Sequence, residues 1–246
     1  MEEEKKVNKL EHPCFPQPED GNIKVWRYMD LSKLIHTISQ KSLYLCRTDL
    51  LGDTHEGSIT KVSYRARKEA LEKIGWNMDK ISLQNKKTNK SLFINCWQMN
   101  NYESEAMWKL YCPDNKGVAL QTTYKKLIDS ISYDDNLFIG LVKYIDYETE
   151  WFPSGNVFYP VMHKRKAFEH EKEVRIIKPE YKYWKVDSEE PPFGIYCPWD
   201  LTNAIENIYV NPYSETFYYE SVVDVLKKYG NSINPIWSPL KGTPYY

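Results

Sequence analysis

Short runs that favour strands crowd together along this chain without helices spaced regularly between them, and that pattern constrains the fold most. "IKVWRYM" (23–29), "SLYLCR" (42–47), "SLFINCWQ" (91–98), "KGVALQT" (116–122), "LFIGLVKYIDY" (137–147), "EVRIIK" (173–178) and "NIYVNP" (207–212) are dense in β-branched and aromatic residues. Runs of that composition read as strands. "INPIWSPL" (233–240) adds a last short one. A doubly wound sheet would alternate strand and helix; this order predicts the α+β class, with a central mixed or antiparallel sheet and short flanking helices.

Four segments carry helix signals. Asp30 can cap a helix in which Leu31, Leu34, Ile35 and Ile38 recur at helical spacing. "KVSYRARKEALEKIG" (61–75) reads as a polar helix closed by Gly75, and "SEAMWKLYC" (104–112) as a short one capped by Ser104. A helix from Glu215 to Tyr229 is closed by Gly230. "NMDKISLQNKKTNK" (77–90) shows no period and reads as a mobile loop. Residues 1–20 are charged and proline-dotted and read as a flexible arm, leaving 21–246 as a single domain.

Composition narrows the class. The 20 tyrosines and 8 tryptophans suit a core that borders a wet cleft. Net charge is −1, so no global field draws nucleic acid or an acidic membrane. The basic clusters "RARKEALEK", "KKTNK" and "HKRK" read first as solvated faces. Cys14, Cys46, Cys96, Cys112 and Cys197 are odd in number and widely spaced, which predicts reduced thiols in a cytoplasmic setting. No signal peptide or membrane-spanning run is expected.

Missing motifs exclude several chemistries. The chain has no GxGxxG, no GxxxxGK[ST], no GxSxG and no HExxH. Its five histidines do not pair at ligand spacing, and no metal site is expected from them. A restriction-type nuclease core wants an acidic residue, one spacer, then lysine; here Lys172 directly follows Glu171.

What remains is a constellation. Arg27 and Tyr28 lie on the first strand, and Asp53, Glu56 and Gly57 in the turn after the second. Ser104, Trp108 and Tyr111 lie on the short helix, Gly117 opens the next strand, and "FEHEKEVRII" (168–177) enters a later one. On a strand, residues two apart share a face, so Glu169, Glu171, Glu173 and Arg175 would point one way while Val174 and Ile176 seek the core. Two such charges ~7 Å apart repel by only about 0.6 kcal/mol in water, so an exposed row is inexpensive. In a dry cleft the same row needs a cation, a metal or a raised pKa.

In order, "WRYMD", "LYLCRTDLLGDTHEG", "MWKLYCPDNKGVAL", "FEHEKEVRI" and "IENIYVNP…VVDVLKKYG" cover about residues 23–240. This series resembles the bacterial domain-of-unknown-function family twenty-nine seventy-one. The chain departs from it at "LLGD", where the family more often has a Phe-Asn-Asp-Pro turn. The layout is in turn similar to ADP-ribosyltransferases, including the DNA-modifying toxin branch.

That resemblance implies NAD as substrate, a nucleic-acid or protein acceptor, and a toxin or phage-defence setting. Glu171, Glu173 and Arg175 would be catalytic, with either glutamate as the key carboxylate and the other accepting a proton from the acceptor. Arg27, Tyr28, Ser104, Trp108 and Tyr111 would bind the nucleotide. Asp53 and Glu56 would join the site, or only cap a turn. Two other readings stand beside this one. A metal-dependent nuclease would use Asp53, Glu56, Glu171 and Glu173. A non-catalytic module would recognise a nucleotide or partner through an aromatic cleft.

Overall fold

The computed structural model describes residues 12–131, 136–153, 155–185, 187 and 189–245. In chain order the strands are β1 (Lys24–Asp30), β2 (Ser42–Arg47), β3 (Leu92–Met99), β4 (Gly117–Thr123), β5 (Phe138–Leu141), β6 (Lys143–Ile145), β7 (His163–Arg165), β8 (Glu173–Pro179), β9 (Gly194–Pro198), β10 (Asn207–Val210) and β11 (Ile236–Trp237). The α-helices are α1 (Leu31–Gln40), α2 (Lys61–Lys73), α3 (Met78–Lys90), α4 (Glu105–Tyr111), α5 (Tyr124–Ser130), α6 (Tyr159–Met162), α7 (Leu201–Ala204) and α8 (Thr216–Lys228). The fold is a mixture of α and β in which strands pair mostly antiparallel, with β6 and β7 forming a small parallel pair.

The described residues pack as two compact units. Of them, the first draws on stretches within 12–18, 44–96 and 136–196, the second on stretches within 19–43, 97–131 and 197–245.

In the second unit β1 pairs along its whole length with β4, from Lys24↔Thr123 to Asp30↔Gly117. All seven residues of β4 are buried, as expected of a strand with neighbours on both edges and cover on both faces. Asp30 ends β1 and caps α1 by accepting from the Lys33 backbone N–H at 2.8 Å. Gly117 is required by close packing, since a Cβ there would lie 2.0 Å from Cys112 Sγ.

In the first unit β5 pairs antiparallel with β8, from Phe138↔Ile177 to Leu141↔Val174. β2 pairs with β3 through Cys46↔Ile94 and Arg47↔Phe93. Phe15, Leu92, Ile94, Phe158, Val161, Met162 and Ile177 form its apolar core.

Three expectations need correction or limit. Of the arm expected over 1–20, residues 1–11 lie outside the described residues. Cys14 and Phe15 are core, and a Cβ on Gly140 would sit 2.6 Å from Phe15 Cα, so this segment lies tight against β5. The loop expected over 77–90 is helix α3, capped by Asn77 on the Asp79 N–H. Only Thr88 is buried along it, so there was no apolar stripe for a periodicity test to find. The long strand expected over 137–147 is split into β5 and β6, which take different partners.

Candidate functional site: a buried charge cluster

The first unit buries five charged side chains in one connected set, and "FEHEKEVRII" supplies three of them. This stretch is not one strand. Lys166–Glu171 form a 3-10 turn, Lys172 takes the left-handed conformation (φ 41°), and β8 begins at Glu173. Glu171 is therefore not placed by strand alternation as expected. The left-handed step at Lys172 turns its exposed side chain away and leaves Glu171 and Glu173 buried on either side.

Arg175 sits two residues along β8, 1% exposed. Its Nη1 and Nη2 donate to the two carboxylate oxygens of Glu56 at 2.5 and 3.0 Å, a bidentate fork. Its Nε donates to Glu173 Oε2 at 2.7 Å, and Nη1 also reaches the Val161 carbonyl at 2.7 Å. The other oxygen of Glu173 accepts from Lys164 Nζ at 2.6 Å, and the same ammonium donates to Glu171 Oε2 at 2.5 Å. The Glu173 backbone N–H donates to the Tyr144 hydroxyl at 2.8 Å. The set runs Glu56–Arg175–Glu173–Lys164–Glu171.

Ionisation follows from this wiring. Desolvation pushes Glu171 up, and the neighbouring Glu173 carboxylate pushes it further, to about 7. Desolvation also works against Glu173, but the Arg175 charge and the bonds from Glu171, Arg175 and Lys164 hold it well below the usual carboxylate range. Desolvation would lower Lys164, yet the two carboxylates keep it raised. Burial and the Glu173 charge push the Cys96 thiol far up, which disfavours its thiolate.

Asp53 and Glu56 come from successive turns, with Glu56 N–H on the Asp53 carbonyl and His55 N–H on the Asp53 carboxylate. Asp53 caps its turn and pairs with Arg165 Nη2 at 2.7 Å; Glu56 belongs to the cluster through Arg175. Gly57 follows with φ +71°, which a side chain would resist. Arg165 also lines a cleft of about 720 Å³ in this unit, together with Lys61, Tyr64, Tyr147 and Lys166. Such a volume lies in the range of small-molecule sites.

The nucleotide-binding candidates lie in the second unit. The Ser104 N–H donates to the Tyr28 hydroxyl at 2.8 Å, and Tyr28 meets Trp108 edge-on at 4.9 Å between ring centres. Trp108 has no exposed surface and donates its indole N–H to Glu103 at 2.8 Å. Tyr28, Ser104 and Trp108 are thus brought together as a packed, hydrogen-bonded core. Arg27 is half-buried, and Tyr111 is exposed on α4.

One member of the cluster, Lys164, and two of its neighbours, Tyr144 and Cys96, escaped sequence reasoning. Lys164 lies in "HKRK", read as a solvated face, yet both His163 and Lys164 are buried. Tyr144 and Cys96 had no flag at all. The three residues of β7, two of them buried side by side, were too short a run to separate a strand from a charge cluster. For the nuclease reading, Lys164 and Arg175 already fill the spaces between the carboxylates. Among the described residues no group of three His, Cys, Asp or Glu side chains is arranged to hold a metal ion.

No protein-family model matches the chain. The expected membership of the unknown-function family therefore has no such match behind it. No curated protein matches significantly. Among solved structures, Thermus sp. 2.9 DarT in complex with NAD+ is similar at a TM-score of 0.41 and 9% identity, covering 90% of this chain and 96% of that one. The same enzyme in complex with ADP-ribosylated ssDNA gives 0.40 and 9%, covering 90% and 95%. A likeness at that level assigns neither fold nor activity.

Proposed function

We propose that this chain is an ADP-ribosyltransferase-like enzyme that cleaves NAD and passes ADP-ribose to a nucleic-acid or protein acceptor. The observation that carries the reading is Glu173, a carboxylate fixed at the head of a strand and held ionised in a dry setting by Arg175 and Lys164. When the nicotinamide–ribose bond breaks, its electron pair leaves with nicotinamide and positive charge grows on the sugar. A fixed carboxylate facing that charge stabilises the transition state more than the ground state. Lys164 and Arg175 each take one Glu173 oxygen, and Glu171 and Cys96 also bond this carboxylate, so a ribose hydroxyl would take the place of one of the weaker partners. The acceptor then bonds to the ribose carbon and gives up its proton to a base or to water.

In this reading Glu173 is the catalytic residue, Glu171 its partner, and Arg175 the residue that orients and charges Glu173. Arg27, Tyr28, Ser104, Trp108 and Tyr111 keep a proposed part in nucleotide binding, Tyr28 and Trp108 by supporting the backbone around Ser104. A toxin or phage-defence role is part of the same proposal.

The test is release of nicotinamide from NAD, with labelled NAD to find the acceptor. Wild type should turn over, and Glu173→Gln should lose at least a hundredfold in kcat, the order of loss for removing one charge-stabilising group. Wild type that neither turns over NAD nor gains thermal stability in its presence sinks the reading.

A further inference from the structure

The cluster contains three carboxylates and two cations, and their division is uneven. Arg175 is used up by both oxygens of Glu56 and one of Glu173. Lys164 is the cation that bridges Glu173 and Glu171, whose carboxyls also bond each other directly; the oxygens it bonds lie within about 5 Å of each other because both accept from one nitrogen at 2.5 and 2.6 Å. All three side chains are at most 9% exposed, so water cannot take over the screening.

Lys164 is also held from every side. Its backbone lies on β7, opposite Tyr144 of β6, and the Tyr144 hydroxyl accepts the Glu173 N–H at 2.8 Å. The ammonium sits 4.6 Å from the centre of the Phe168 ring, on its face, which favours the charged form. The groups facing the Glu171–Glu173 pair are Lys164 from β7, Arg175 from β8, Glu56 from the turn region, Cys96 from β3 and Tyr144 from β6. Of these, Lys164 is the cation that bonds both carboxylates.

We propose that Lys164 is the positioning residue of this site, fixing the spacing of the two carboxylates and making Glu173 the member available to a substrate cation. Arg175 anchors Glu173 whether or not Lys164 is present; Lys164 decides how Glu173 and Glu171 share charge. Glu171 is then the member that takes up a proton, in keeping with the upward push that burial and the Glu173 carboxylate give its carboxyl. The kinetic part of the test below rests on the NAD reading; the titration part does not.

The experiment is a carboxyl-carbon NMR titration of the full chain labelled with [13C]glutamate, on wild type, Lys164→Met, Lys164→Arg and Glu171→Gln. In wild type one glutamate should titrate at about pH 7, and that signal should vanish in Glu171→Gln. Lys164→Met should move it up by a unit or more, and Lys164→Arg should restore it towards wild type. A wild type with no glutamate titrating above pH 6, or a Lys164→Met protein with an unmoved signal, overturns the proposal. Should Lys164→Met fail to fold, the double variant Lys164→Met/Glu171→Gln decides, because removing the second charge should remove the need for the ammonium. A double variant that still fails to fold overturns it too.

In NAD turnover, Lys164→Met should shift the acid limb of the kcat profile upward with KM within twofold. An unshifted limb overturns the kinetic role. Absence of turnover in wild type, with the titration as expected, sinks the NAD reading and leaves the positioning role standing.

Discussion

Arg175 serves two carboxylates at once and is almost fully buried, so bulk water cannot replace either. Arg175→Met leaves Glu56 and Glu173 buried without their common cation, and the expected loss is about 3–5 kcal/mol in urea unfolding. Arg175→Lys should recover only part of it, because an ammonium cannot form the planar fork that Glu56 receives. Glu171 and Glu173 have opposite effects on pH dependence. The folded pKa of Glu171 is raised from 4.5 to about 7, so its contribution is fully present below pH 4.5 and is lost as pH climbs to 7. Glu173 is depressed, so its contribution holds above 4.5 and is lost on acidification. Calorimetry should show wild type losing several degrees of Tm between pH 5 and 7.5, and Glu171→Gln should flatten that fall. The sequence pointed to Glu173 and Arg175 because acid and base two apart on a strand share a face. It missed Lys164, whose neighbours are set by the β6–β7 pairing, a long-range contact that no local pattern records.

Among the elements, α2 and α3 are held very differently from β4. Each of these helices buries a single residue, Ser63 and Thr88, whereas β4 buries all seven. Native-state hydrogen exchange should therefore show α2 and α3 opening locally, with protection roughly two orders of magnitude or more below that of β4. Equal protection across the three would mean that the helices are anchored by something other than apolar burial. The same contrast explains what could be read in advance. β1, β4 and β8 bury most of their length, so their composition announces them. α2 was legible through its helix-forming composition and Gly75, but α3 fully buries none of its few apolar residues and offered neither period nor glycine stop. The break between β5 and β6 was hidden because both halves are apolar and only the change of partner separates them.

For the molecule as a whole, each compact unit draws on three separate stretches of chain. Cutting at one point cannot release either unit complete. A fragment spanning 1–132 would keep Leu92 and Ile94 of β3 but lack Ile177, Phe158 and Met162, their core partners. It should unfold without a cooperative transition in denaturant, while the full chain shows one. Because the fragment keeps Trp26, Tyr28, Met107, Trp108 and Ala119, a cooperative transition would mean that this second-unit cluster holds without Cys197–Tyr246. The fold class was legible from strand order, but this interleaving was not, since nothing local marks which distant stretches share a core.

The pairing of β1 with β4 has a consequence for how the protein is made. At about 5–20 residues per second, β1 leaves the ribosome several seconds before β4 exists to pair with it. During that interval its apolar residues Val25, Trp26 and Met29 lack the part of their final cover that β4 supplies. Successful synthesis thus depends on keeping the early strand from finding the wrong neighbour, a demand on holding factors and growth temperature that the finished molecule no longer displays.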